Sequence, residues 1–136
     1  MSPVIISDNF PPNARQLRSV CFVIDPLSGN RCKASAIWDT GASCSCISPA
    51  IANALNLPVV GTTTNNTANG PAPANRHVVD IAIGNVTFRK IAVSAPPLPE
   101  DDMVLIGMDL IGLGKFTVGK AMVDGGLKKV LTLELQ

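Results

Sequence analysis

Six consecutive residues, Trp38-Asp39-Thr40-Gly41-Ala42-Ser43, set a carboxylate, a hydroxyl and a glycine in immediate succession. They follow Ala34-Ser35-Ala36-Ile37-Trp38, an apolar-leaning run able to end a strand. An acid held on a tight loop can accept or donate a proton at a reacting group, which is general acid–base work. The hydroxyl would fasten such a loop, and the glycine suits a place where no side chain fits. A second segment, Val104-Leu105-Ile106-Gly107-Met108-Asp109-Leu110-Ile111, runs from apolar residues through glycine into a short helical pattern. Its Gly107 lies 68 positions after Asp39.

Other residues with chemistry are fewer. Cys44 and Cys46 lie two apart just after the acidic loop, and an extended backbone would put them on one face. A metal would need those two plus Cys21, Cys32 or His77, and no Cys-x-x-Cys pair is present. The plainer reading is four small hydrophobes in a reducing compartment, with a Cys21–Cys32 bridge across a hairpin left open. His77, the lone histidine, reads as structural or merely exposed. No metal and no cofactor are expected. A net charge of +1 without a basic run gives no support for nucleic-acid binding. No apolar stretch approaches the roughly 20 residues of a membrane span. Met1 to Asp8 lacks the basic and long apolar regions of a secretory signal, so a cytoplasmic location is expected.

These residues need a scaffold, and 136 residues with 46% hydrophobic and 15% charged content can build one domain with a real core. Residues 1–16, with Pro3, Pro11 and Pro12, read as an N-terminal arm, and 17–136 as the domain. Ser19 to Ile24 and Arg31 to Trp38 read as a hairpin through the turn at Asp25 to Asn30. It delivers Asp39 at its end. Ser48 to Leu57 reads as a helix: Ser48 is the N-cap, Pro49 the first position, Ile51, Ala54 and Leu55 the apolar face, and Pro58 the stop. Val59 to Ala74 is rich in Thr, Asn and Gly, and Asn69-Gly70 signals a tight turn. Strands are predicted at Val78 to Ile83 and Val86 to Val93, with a loop from Pro96 to Asp102. A strand at Met103 to Ile106 leads into helical turns over Asp109 to Leu113. Short strands follow at Phe116 to Val118, Ala121 to Val123 and Lys129 to Leu135, with a turn at Asp124-Gly125-Gly126. Short strands, Gly and Pro turns and two short helices indicate an all-β fold.

The two motifs, in this order and with this interval, resemble those of the retropepsin-like, or retroviral-type, aspartic proteases. The Gly-Met-Asp form at 107–109 is similar to the bacterial branch. The resemblance runs from about Leu17 to Gln136. It implies a retropepsin-like acid protease fold, one lobe per chain, with a flap hairpin placed at Thr63 to Val78 and its tip near Asn69-Gly70-Pro71-Ala72. It implies an aspartic endopeptidase acting on extended polypeptide. In that family two carboxylates share one proton, one acting as base on a water while the other polarises the scissile carbonyl. This chain has one such loop, because Asp124-Gly125-Gly126 lacks the hydroxyl and Asp109 sits where the family starts a helix. Activity then needs a homodimer that sets Asp39 against its copy.

By the same resemblance Thr40 and Gly41 lock the active-site loop across the dimer. Gly41, Ala42, Ser43, Asn69, Gly70, Met103 and Leu105 would bind substrate. The apolar types among them favour apolar substrate side chains beside the cut. Trp38 alternates to the face opposite Asp39 and reads as core or interface. Ser43 and Met108 replace an acid and an arginine that pair in viral members, so both partners of that ion pair go together. A catalytically silent module for dimerisation or peptide binding is the competing reading. Intact Asp39-Thr40-Gly41 argues against it. A metal- or redox-sensing protein rests only on Cys44 and Cys46.

Overall fold

Alternation of small and β-branched residues builds the first hairpin of the protein, seen here in a computed structural model that describes residues 3–67 and 70–135. Strand β1 (Val4–Phe10) is followed by β2 (Arg18–Ile24) and β3 (Arg31–Trp38). The turn between β2 and β3 is tied by Asp25, whose carboxylate accepts from the Leu27 amide at 3.0 Å and the Ser28 hydroxyl at 2.9 Å. Cys21 faces Ala34 and Cys32 faces Val23 across the pair, and all four cysteines are free thiols.

After β3 come β4 (Cys46–Ile47) and helix α1 (Pro49–Ala54). Ser48 caps the helix by accepting from the Ile51 amide at 3.2 Å, and its hydroxyl donates to the Asp101 carbonyl. The helix is shorter than 48–57, because Asn56 takes φ 50° and breaks the repeat before Pro58 is reached. Asparagine tolerates that left-handed region better than most residues. Ala52, not Ala54, joins Ile51 and Leu55 in burial.

Strands β5 (Gly61–Thr67), β6 (Gly70–Ile83) and β7 (Val86–Ala95) form a long antiparallel meander. The predicted strand at Val78 to Ile83 is thus the far half of one 14-residue strand. Its middle is irregular at Asp80, where the register shifts and the carboxylate accepts from the Lys90 amide at 2.7 Å. Lys90 itself has φ 54°, so the bulge is stabilised from both strands. Next are β8 (Met103–Ile106), helix α2 (Met108–Ile111), β9 (Lys115–Val123) and β10 (Gly126–Leu135). Two strands expected at 116–118 and 121–123 are one strand running through Gly119.

The strands pair in the order β2-β3-β8-β4-β7-β6-β5, and a further β2–β6 pairing closes this seven-stranded sheet on itself. Strand β8 runs parallel to β3, and β4 parallel to β7. A separate antiparallel sheet has the order β1-β10-β9. The N-terminal segment, read as an arm outside the domain, is a strand that pairs with β10 from Val4↔Leu135 to Phe10↔Lys129 and sets Ile6 and Phe10 in the core. Inside lie Val23, Ile47, Val79, Ile81, Val104, Ile106, Leu110, Leu131 and Leu133, all buried. Each such side chain contributes roughly 1.5–3 kcal/mol through burial. Trp38 is core: its ring lies 6.0 Å from that of Phe116, and its indole N–H donates to the Ser19 hydroxyl at 2.9 Å. His77 is structural, buried with Nδ1 2.9 Å from the Pro58 carbonyl. The fold is all-β with two short helices and a single lobe.

Candidate active site

Parallel pairing of β3 with β8 brings the two sequence motifs side by side, Trp38 opposite Ile106. Asp39 leaves the sheet there, its amide donating to the Ile106 carbonyl at 2.9 Å. The loop then turns on itself. The Asp39 Oδ1 accepts from the Gly41 amide at 2.9 Å, and the Asp39 carbonyl accepts from the Ala42 amide at 3.2 Å. Oδ2 has no partner among the described residues, and the side chain is half-exposed. Thr40 and Gly41 are exposed.

The loop is clamped from behind by Gly107, Met108 and Asp109 of the second motif, joined by Ser45, which sequence reasoning did not single out. Ser45 is fully buried; its hydroxyl donates to Asp109 Oδ1 at 2.7 Å and accepts from the Gly107 amide at 3.0 Å. The Ser45 amide donates to Asp109 Oδ2 at 3.1 Å. Asp109 therefore fastens the loop from the start of α2. The Met108 amide closes the clamp on the Ala42 carbonyl at 2.7 Å. Only glycine permits this approach: a Cβ on Gly107 would stand 2.7 Å from the Cys44 carbonyl carbon and 2.9 Å from the Ala42 oxygen. An acid at a helix start hinted at a partner, but a run with serines at 43, 45 and 48 does not say which one it is.

In front of the loop is a cleft of about 620 Å³. Its floor includes Gly41, Ala42, Ser43 and Leu105, four of the predicted substrate contacts. Thr63, Thr64 and Asn65 of β5 and Pro96, Pro97 and Leu98 line the cleft as well. Met103 is a correction to the predicted set: it is 4% exposed and does not reach the cleft. The β5–β6 hairpin stands where the flap was expected, its last described pair being Thr67↔Gly70. Pro71 and Ala72 lie in β6, facing Asn66 and Asn65, and not at the tip. Gly70 has φ 100°, and the predicted contact Asn69 lies outside the described residues.

Cys44 and Cys46 both line the cleft, but Cys44 is exposed and Cys46 is buried. Burial pushes the Cys46 thiol up, while a contact to the Ser94 hydroxyl at 3.3 Å pulls the other way. Cys21 is pushed up to about 12, chiefly by burial. Among the described residues no cluster of three His, Cys, Asp or Glu could hold a metal, and no helix is long and apolar enough to cross a membrane.

A clamped acid loop at the junction of two parallel strands, with a cleft and a covering hairpin, defines a single-lobed acid protease of the retropepsin-like class. Residues 26–110 match the aspartyl protease family, and the chain belongs to that family. Its class of activity is aspartic endopeptidase. Among solved structures it is similar to a retropepsin-like aspartic protease from Rickettsia conorii, with a TM-score of 0.61 and 23% identity over 98% of this chain and 94% of that one. It is also similar to the simian foamy virus (mac) protease, with a TM-score of 0.51 and 17% identity over 71% of this chain and 92% of that one. At these identities the likeness is one of fold. No curated protein matches the chain.

Proposed function

We propose that the active species is a C2 homodimer in which two copies of Asp39 form the catalytic dyad and hydrolyse peptide bonds in extended polypeptide segments. The observation that carries this reading is the Asp39 carboxylate itself, one per chain. It is set on a loop clamped by Ser45, Gly107 and Asp109, with Oδ2 left without a partner among the described residues. Two carboxylates at contact distance cannot both ionise easily, so they share one proton. The ionised member takes a proton from water as its oxygen adds to the scissile carbonyl carbon. The protonated member gives its proton to the carbonyl oxygen. Collapse of the tetrahedral intermediate then breaks the C–N bond, and a proton passes to the leaving amine. Thr40, exposed beside the dyad, would reach the opposite loop. Gly41, Ala42 and Ser43 would hold the substrate backbone, and the β5–β6 hairpin would cover it and exclude water. Extended substrate suits a cleft walled by a strand. A reducing, cytoplasmic setting suits four free thiols.

One titration tests dyad and dimer together. Asp39→Asn protein alone should be folded and inactive. Added in equal amount to wild type, it should lower wild-type activity to about half by forming mixed dimers with one carboxylate. Undiminished activity in the mixture, or cleavage by Asp39→Asn alone, would overturn the proposal.

A further inference from the structure

The inner face of the flap sheet carries a charge that the dyad does not use. Register places Arg76 of β6 between Gly61 of β5 and Ser94 of β7. Alternation sends its neighbour His77, and Val93 opposite, to the other face, where both are buried. Arg76, Ser94, Thr63 and Asn65 thus look into the cleft, and all four line it. Arg76 is the only charged side chain among the lining residues. It is exposed, and among the described residues the one ion pair is that of Arg18 with Glu100, which leaves Arg76 without one. Gly61 leaves its flank open, since a Cβ there would meet nothing within 4 Å. The result is a five-donor guanidinium, without a carboxylate partner, on the wall along which an extended peptide would lie.

We infer that Arg76 is a specificity-determining residue that selects substrate segments with an Asp or Glu at a fixed distance from the scissile bond. The inference rests on the reading of this cleft as the substrate groove. In a C2 dimer each protomer supplies one Arg76, so the acidic preference appears on both sides of the cut. Apolar residues still suit the positions nearest the cut, beside Ala42 and Leu105. The selected acid lies further out, under the flap ribbon. A carboxylate there gains a charge-assisted bond to the guanidinium, which is bidentate when geometry allows. The neutral walls supply no competing charge.

The test uses a peptide library with wild-type enzyme to find cut sequences, then matched peptides differing by Glu or Gln at each flanking position. Binding of the same pairs to Asp39→Asn protein is measured in parallel, so that the answer does not depend on turnover. At one position on each side, Glu should exceed Gln by about fivefold in kcat/KM and in affinity, as an exposed ion pair allows. The ratio should shrink between about 50 mM and about 500 mM salt. It should fall to unity in Arg76→Gln, persist in Arg76→Lys, and reverse in favour of Lys peptides in Arg76→Glu. Equal handling of Glu and Gln at every position overturns the inference even if Asp39-dependent cleavage is robust. Should wild type cut nothing, the Glu/Gln pairs are built on library peptides that bind Asp39→Asn protein; an Arg76-dependent Glu preference there supports selection by Arg76 and refutes the proposed catalysis, and its absence overturns both.

Discussion

The loop that carries Asp39 and the hairpin that faces it are held in opposite ways. Behind Asp39 the buried Ser45 hydroxyl links the half-buried Asp109 carboxylate to the Gly107 amide, and backbone from two segments meets at Gly107. Buried polar groups of this kind are costly to leave unpaired, so they hold one arrangement. The β5–β6 ribbon beyond Ala74 is different. Thr62, Thr64, Pro71 and Pro73 are exposed, and what holds the strands is mainly their mutual pairing. Segments with few buried apolar contacts sit at the low end of local stability. The contrast teaches that the acid is fixed by tertiary packing while the cover is left cheap to displace, as entry and release of a chain would require.

The most severe way to break the contrast is at Gly107. Gly107→Ala drives a methyl into backbone of the Cys44 and Ala42 loop, which cannot yield as a side-chain tip would. Overpacking of this kind costs about 1–3 kcal/mol and occasionally more. Urea unfolding should show at least that loss, with activity falling further as the Asp39 loop shifts. A stable, fully active Gly107→Ala enzyme would mean the clamp is not what positions Asp39.

On the flap side, Gly70→Val meets open space but must adopt φ 100° with a β-branched residue. The strain is of order 1–3 kcal/mol, or is relieved by local rearrangement of the ribbon. Thermal unfolding should therefore change little, because the ribbon adds little to global stability, while turnover falls several-fold. Equal losses of stability and turnover would erase the distinction between the two regions.

The smallest effect concerns the loop that leads into β8. Arg18 and Glu100 form a bidentate pair at 2.7 and 2.8 Å, which lowers the Glu100 carboxyl below its ordinary range. A carboxylate with a lowered folded-state pKa stabilises above its unfolded pKa of about 4.3. That contribution disappears as pH falls through the folded value. The pair is solvent-exposed, so the gain is modest. Arg18→Ala should lower Tm slightly at neutral pH and not at all at strongly acidic pH. A constant difference across that window would remove the pair as its cause.

Much of this molecule was legible in local sequence. The Asp25 to Asn30 turn, the Ser48 cap with Pro49 behind it, and the Asp124-Gly125 turn each depend on neighbours a few residues away. Their chemistry is therefore visible in the chain. The acid loop was legible for the same reason: Asp39 bonds to Gly41 and Ala42 of its own hexapeptide. Boundaries failed where a local signal was ambiguous. Asn56 ended α1 ahead of Pro58, and Gly119 did not interrupt β9.

Short-range hydrogen bonding and periodicity make the turns, the acid loop and the type of most elements readable from the chain alone. Tertiary structure alone decided that Ser45 and Asp109, 64 positions apart, clamp the loop, because antiparallel pairing of β4 with β8, Cys46 opposite Leu105, makes them neighbours. It also decided that Met103 is buried while Leu105 reaches the cleft, and that Arg76 faces the cleft while His77 faces the core. Alternation along a strand says which residues share a side. Only the closure of the sheet says which side is the inside.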